Sequence, residues 1–189
     1  MRNVSKWLVG IGLLLMLGGG AWWLTDHLIA QSARQETAQL LEQLDTLLPP
    51  RSEGEVSAHR MPVLSVEGQD VVAVVELPAY GVRLPVGSTW DAGGVTAYPR
   101  RFSGSAYDRT LVIGGSDRAG QLDCLERVEI GDTVTVTDMT GGVFTYEVTR
   151  ADRFDSAETE KLVDPATHLT LFVRDTYALE YVLVRCVMK

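Results

Sequence analysis

The longest apolar stretch of the chain lies at its start. Residues 7–25, WLVGIGLLLMLGGGAWWLT, contain no charged side chain. At about 1.5 Å per residue, a helix of this length matches the roughly 30 Å hydrocarbon core of a bilayer. Tryptophans stand near both ends, Trp7 on one side and Trp22 and Trp23 on the other, as indoles do at membrane interfaces. The pattern predicts a transmembrane anchor within residues 1–25.

The charges that flank this stretch predict its orientation. Arg2 and Lys6 precede it and Asp26 follows it, which favours a cytoplasmic N-terminus and an extracytoplasmic position for residues 26–189. A cleaved signal peptide and a buried core helix are the alternatives. The residues AQS at 30–32 are a poor cleavage site, and the apolar run is long for a signal peptide. We expect a single-pass protein of the cell membrane.

Leucines recur at helical spacing in the next segment. They are Leu40, Leu41, Leu44, Leu47 and Leu48, and Pro49 and Pro50 follow them directly. This spacing predicts one amphipathic helix that ends at the prolines. The polar residues 50–60 predict a linker, so that helix and linker together occupy residues 26–60. The leucine stripe is expected either to pack against the following domain or to associate with another chain.

From about residue 61 the hydrophobic period changes from 3.6 to 2. Strands are predicted at 71–77, 109–115, 132–138, 143–149, 168–173 and 180–186. Almost no helical pattern remains after residue 60. The sequence therefore predicts a mainly β domain over residues 61–189, folded as a closed or nearly closed barrel.

Charge and known motifs exclude several classes of function. From Asp26 onward the chain has 25 acidic and 15 basic residues, a net charge of −10. Nucleic acid is an unfavourable partner, because its phosphates would meet a field of their own sign. The sequence has no P-loop, zinc-ligand spacing, GxSxG or dinucleotide fingerprint. We predict no cofactor.

Four segments of the predicted barrel resemble the sortase family in order and spacing. They are VAVVELPAYGVRLPV (72–86), TLVIGG (110–115), LERVEIGDTVTVTDMTGGVFTYEVT (125–149) and LVDPATHLTLFV (162–173). The resemblance implies a sortase-like closed β-barrel at the surface of Gram-positive bacteria. Sortases are cysteine transpeptidases, in which a thiolate attacks a sorting-signal peptide while a histidine and an arginine assist.

Carried over position by position, the resemblance assigns the family's catalytic residues to three unsuitable side chains. Gly115 follows LVIG at the histidine position, Arg174 follows LTLFV at the cysteine position, and Tyr181 occupies the arginine position. The resemblance thus implies a catalytically degenerate protein, a binding or accessory module at the cell surface. Its partners would be a cell-wall peptide, an active sortase or another surface protein.

Two other interpretations stay open. One is an active transpeptidase with relocated residues, in which Cys124 is the nucleophile and His168 or His59 its base. The second is a structural protein that only contacts a partner. The cysteines could instead have structural roles. Cys124 could be packed and inert, or it could form a disulfide with Cys186 outside the cell.

Two charged segments are weaker candidates for sites. DRFDSAETE (152–160) contains Asp152, Asp155, Glu158 and Glu160, whose oxygens suit Ca²⁺, although such a run is more often a solvated face. YPRRF (98–102) places Arg100 and Arg101 between aromatic residues. This pair could contact an anionic cell-wall polymer or a peptide carboxylate, or belong to an ordinary surface loop.

Overall fold

The structure is a computed structural model that describes residues 16, 31–32, 34–53, 60–91, 97–155, 157–175 and 179–189. The predicted anchor, apart from Met16, lies outside these residues. Within them, no helix combines the length and the apolar character that a membrane crossing requires.

Ten strands form one sheet in the described part of the chain. They are β1 (Ser52–Glu53), β2 (Leu64–Val66), β3 (Gln69–Leu77), β4 (Val82–Gly87), β5 (Arg100–Ser103), β6 (Leu111–Ser116), β7 (Thr133–Asp138), β8 (Gly142–Asp155), β9 (Leu169–Asp175) and β10 (Glu180–Met188). The order β3-β4-β5-β6-β9-β10-β8-β7 returns to β3, because β7 pairs with both β8 and β3. These eight strands close a barrel, and the prediction of a mainly β barrel is confirmed.

Alternating side chains build the core inside this barrel. In β7 the sequence TVTVTD places Val134 and Val136 inward, where they meet Phe144 and Tyr146 of the paired strand β8. All six predicted strands are present. Periodicity did not indicate β1, β2, β4 and β5, and it ended β8 too early. In particular, β1 lies within the predicted linker and pairs with the start of β8.

The leucine stripe belongs to a helix, α1, over residues 34–47. Leu40 and Leu44 are buried against an apolar patch on the barrel that includes Val66, Val71, Val74, Tyr98 and Met139. Leu47, in contrast, is 56% exposed. Packing against the domain is therefore the correct alternative for Leu40 and Leu44, which are unavailable for contact with a second chain.

Polar contacts fix the N-terminal half of α1 to the loop that follows β6. Arg34 donates two hydrogen bonds to the carbonyl of Ala119, at 3.2 and 2.9 Å. Thr37 Oγ1 donates to the carbonyl of Ala97, which also accepts from Gln121 Nε2. The helix and the loop after β6 are therefore held together.

Candidate functional site

The three positions assigned by resemblance lie on neighbouring strands at one end of the barrel. Strand β9 runs between β6 and β10. Its Arg174 is in register with Ser116 of β6 and with Tyr181 of β10, and Gly115 is opposite Val173. The fold thus places Gly115, Arg174 and Tyr181 close together on three adjacent strands. Arg174 and Tyr181 are directly opposite each other, and Gly115 is one position out of register with them.

These positions do not share a face of the sheet. A Cβ on Gly115 would lie 2.8 Å from Leu122 Cδ1, and Leu122 belongs to the barrel core. Tyr181 instead packs outside the barrel with Phe172, and Arg174 on the same outer face is exposed. A side chain at 115 would enter the core, whereas those at 174 and 181 meet the outer surface.

Both cysteines are buried free thiols. Cys124 is 1% exposed and Cys186 is fully buried in the barrel core. Burial raises the pKa of the Cys124 thiol to about 11, with a smaller contribution from Asp123, and raises that of Cys186 to about 12. A thiol with such a pKa is protonated at neutral pH and is a poor nucleophile.

The proposed bases for Cys124 receive no support from this arrangement. The Nδ1 atom of His168 accepts a hydrogen bond from the backbone N–H of Met188 at 2.9 Å. The backbone N–H of His168 donates to the carbonyl of Cys186. His168 is thereby engaged at the start of β9, and His59 lies outside the described residues.

Five aromatic side chains form a continuous cluster on the outer face of the barrel, and we call it the outer-face cluster. Ring centroids are 5.2 Å apart between Trp90 and Phe102, 5.6 Å between Trp90 and Phe172, 5.6 Å between Phe172 and Tyr181, and 6.2 Å between Tyr181 and Phe154. Phe172 is buried and the other four are half-buried. The cluster leaves an aromatic surface in contact with solvent.

Gly114 makes room for this cluster. A Cβ at this position would lie 2.4 Å from Phe172 Cζ and 2.5 Å from Trp90 Cζ3. A glycine therefore allows Trp90 to lie against β6. The two consecutive glycines of LVIGG are a sequence signal for such a close approach, although the family resemblance relates Gly115 only to the missing histidine.

Arg100 and Arg101 support the chain segment that leads to Trp90. Arg101 Nε donates to the carbonyl of Ser88 at 3.0 Å, and Arg100 Nη1 lies 3.5 Å from the carbonyl of Thr89. The guanidinium of Arg100 also lies 5.2 Å from the ring centre of Tyr98. Both arginines belong to β5, so the expectation of an ordinary surface loop is wrong.

An open cleft of about 550 Å³ adjoins the cluster at Phe154. It lies between β8 and residues 157–165, which we call the strap and which contain the 3-10 turn Thr159–Leu162. Leu162 anchors the strap by packing with Val112, Phe172 and Leu183. The cleft is lined by Arg150, Asp152, Arg153, Phe154, Glu160, Lys161, Val163, Asp164, Pro165 and Arg185.

A charge network at the base of the cleft fixes the strap to the barrel. Arg185 is 4% exposed; its Nε donates to Asp152 Oδ2 at 2.8 Å and its Nη2 to the carbonyl of Lys161 at 2.7 Å. Its Nη1 lies 3.6 Å from Asp164 Oδ2. Arg150 binds the same two carboxylates at 2.7 and 3.0 Å. The pKa of Asp164 is lowered, first by the N–H of Ala166 and also by both arginines.

Contacts within the chain engage three carboxylates of the acidic run, which is a weaker Ca²⁺ candidate in the sequence. Asp152 is neutralised by two arginines, Asp155 accepts from the N–H of Ala157, and Glu158 pairs with Lys161 at 2.6 Å. Across the described ranges, no group of three or more acidic, histidine or cysteine side chains is arranged to hold a metal ion. The carboxylates serve β8 and the strap instead.

Comparison with solved structures shows a consistent fold. The chain is similar to sortase C-3 from Streptococcus pneumoniae, with a TM-score of 0.57 and 16% identity over 85% of this chain and 83% of that one. Sortase A from Corynebacterium diphtheriae gives a TM-score of 0.55 and 20% identity over 85% and 82%. For sortase A from Listeria monocytogenes the values are 0.54 and 18% over 63% and 87%.

Neither a family model nor a curated protein matches the sequence. The described domain has the sortase fold, and the resemblance noted from the sequence is confirmed at that level.

Proposed function

We propose that this chain is a membrane-anchored, extracytoplasmic sortase-like protein that binds peptides and has no transpeptidase activity. The observation that carries the proposal is the outer face of β6, β9, β10 and β8. There an aromatic cluster and an open cleft adjoin the positions that resemblance assigns to catalysis, and these positions carry Arg174 and Tyr181. Aromatic surfaces beside a few polar groups are typical of ligand sites.

The state of the thiols supports the absence of cysteine chemistry. Transpeptidation by a cysteine needs an exposed thiolate beside a proton carrier. With a pKa of about 11, roughly one Cys124 thiol in 10⁴ is ionised at pH 7. Buried in the core, this thiol is also out of reach of a peptide on the outer face.

The first 25 residues support the membrane part of the proposal. Their apolar run and flanking charges favour an anchor with residues 26–189 outside the membrane. Because α1 packs on the barrel, the domain would be held close to the bilayer. Peptides of the cell surface would then be available to the outer face.

Thiol labelling is expected to separate a buried cysteine from an active one. In the native full chain at pH 8, neither cysteine should react with a maleimide over minutes, whereas both should react in denaturant. Raising the pH through about 8.5 should speed labelling of the unfolded chain but not of the native one, whose thiols ionise only near pH 11 to 12.

The variant Arg174→Cys is a matched positive control, because position 174 is exposed. Its added thiol should be labelled rapidly without denaturant, as mass spectrometry would show. Rapid labelling of Cys124 in the native unsubstituted chain would contradict the burial described above.

A cleavage assay tests the absence of catalysis directly. The full chain in mild detergent is expected to leave a panel of sorting-type peptides intact, and Cys124→Ala should change nothing. Peptide turnover that disappears in Cys124→Ala would reject the proposal and support an active enzyme with relocated residues.

Calorimetry tests the binding part of the proposal. Apolar peptides should bind the full chain, and Trp90→Ala should weaken their binding because it removes a half-buried indole at one end of the outer-face cluster. Leu47→Ala is the control, since Leu47 is an exposed apolar side chain on α1. Equal weakening by both variants would argue against a site at the cluster.

A further inference from the structure

The guanidinium of Arg174 is a candidate ligand-binding group at this end of the barrel. It is exposed, and among the described residues no carboxylate lies within 4.0 Å of its guanidinium nitrogens. Arg150, Arg153 and Arg185, on neighbouring strands, are all engaged in ion pairs. The positive charge of Arg174 is therefore available to a ligand.

Aromatic side chains of the outer-face cluster lie next to Arg174. Arg174 is directly opposite Tyr181, and Tyr181 is in turn opposite Phe154. Directly paired side chains of adjacent strands lie about 5 Å apart at Cβ. Phe172, two residues before Arg174 on the same face, contacts Tyr181 with ring centroids 5.6 Å apart. A ligand that covers these rings with an apolar group can bring a neighbouring anion to Arg174.

The next row of paired residues, one position past Arg174 along β9, is acidic. Glu180 is in register with Asp175 on one side and with Asp155 on the other. Strand alternation turns these three side chains to the other face, at the rim of the barrel end. A chain that continued past Arg174 would cross this rim, and a ligand with several negative charges would meet repulsion. The net charge of −10 over residues 26–189 adds to that repulsion.

We propose that this part of the outer face binds the C-terminal end of a peptide. A bulky apolar side chain would cover Phe172 and Tyr181, and the free α-carboxylate would pair with Arg174. A chain end supplies one negative charge and stops before the acidic rim, which an acidic tract does not do. This inference rests on the proposed function, peptide binding at the outer face, and specifies which part of a peptide is recognised.

Three probe peptides test the inference by calorimetry with the full chain. They are Ala-Ala-Leu-Phe with a free C-terminus, the same peptide with a C-terminal amide, and the amide of Ala-Ala-Leu-Phe-Asp. The free acid is expected to bind about fivefold more tightly than the amide, the range of a solvent-exposed ion pair. Arg174→Gln should abolish this preference, so that the free acid and the amide bind this variant equally.

Arg60→Gln is the matched control, because Arg60 is also exposed and lies outside the outer-face cluster. It should keep the preference for the free acid, and unchanged melting temperatures would show that both variants are folded. Equal binding of acid and amide, or a preference that survives in Arg174→Gln, would overturn this inference alone. Tighter binding of the aspartyl amide than of the free acid would overturn the choice of a chain end. Failure of all three peptides to bind would reject the proposed function and this inference with it.

Discussion

Replacing Leu44 by alanine is expected to lower the free energy of unfolding by about 3 kcal/mol. Leu44 is fully buried between α1 and the barrel, where it packs in one cluster with Val71, Val74 and Tyr98. The substitution removes apolar contacts and leaves a cavity between two rigid elements, so little relaxation can compensate. Urea unfolding of the full chain, followed by circular dichroism, measures the change.

Leu47 offers a control of the same residue type on the same helix. It is 56% exposed, and Leu47→Ala should change the free energy of unfolding by no more than about 0.5 kcal/mol. Equal losses in the two variants would show that α1 is not docked as described. A loss for Leu44→Ala that comes with a much smaller denaturant slope would indicate that the helix unfolds separately from the barrel.

The strands were accessible to sequence analysis where burial alternates in a simple way. TVTVTD and VFTYEVT pair inside a closed barrel, so period 2 survives intact in β7 and β8. The end of β8 was missed because its ADRFD residues lie at the edge of the barrel and carry charges on a solvated surface. There the charges indicate a solvated face, with Ca²⁺ as a weaker alternative, and they obscure the strand.

The outer-face cluster was inaccessible for a different reason. Trp90, Phe102, Phe154 and Phe172 come from four separate segments, and only strand order and register bring their rings together. The resemblance placed Arg174 and Tyr181 near each other because it assigns both to catalytic positions, which the chemistry requires to be held together. No local pattern indicated what would surround them.

Arg185 shows the same limit for a charged residue. In VLVRC it follows three apolar residues of β10, and nothing local indicates its partners. Asp152 is 33 residues earlier on β8, and the carbonyl of Lys161 is 24 residues earlier on the strap. A buried arginine is stable only with such partners, so its environment is decided by the tertiary fold.

Replacing Arg185 by alanine is accordingly expected to lower the free energy of unfolding by about 2 to 3 kcal/mol. The change removes a buried guanidinium, leaves the carbonyl of Lys161 without this donor and leaves Asp152 and Asp164 with Arg150 alone. The strap should loosen, and limited proteolysis within residues 157–165 should become faster. Arg185→Met, which restores volume but not the hydrogen bonds, should lie between alanine and the unsubstituted chain.

Arg153→Ala is the matched control for this loss. Arg153 also lines the cleft, but it is 49% exposed and makes one 3.4 Å contact, with Glu126. Its removal should change stability by less than about 0.5 kcal/mol. Equal effects of Arg153→Ala and Arg185→Ala would mean that the buried network does not hold the strap.

Acid provides a second measure of the same network. Because the pKa of Asp164 is lowered in the folded chain, its carboxylate stabilises the fold above the pKa of an unfolded aspartate, about 3.9. That stability is lost as the pH falls through the lower folded value. The Coulombic contribution of Arg185 is absent in Arg185→Ala, so this variant should lose less stability between pH 5 and pH 3 than the unsubstituted chain. Identical pH dependence in the two proteins would contradict a role for Arg185 in holding Asp164 and in fixing the strap as one wall of the cleft.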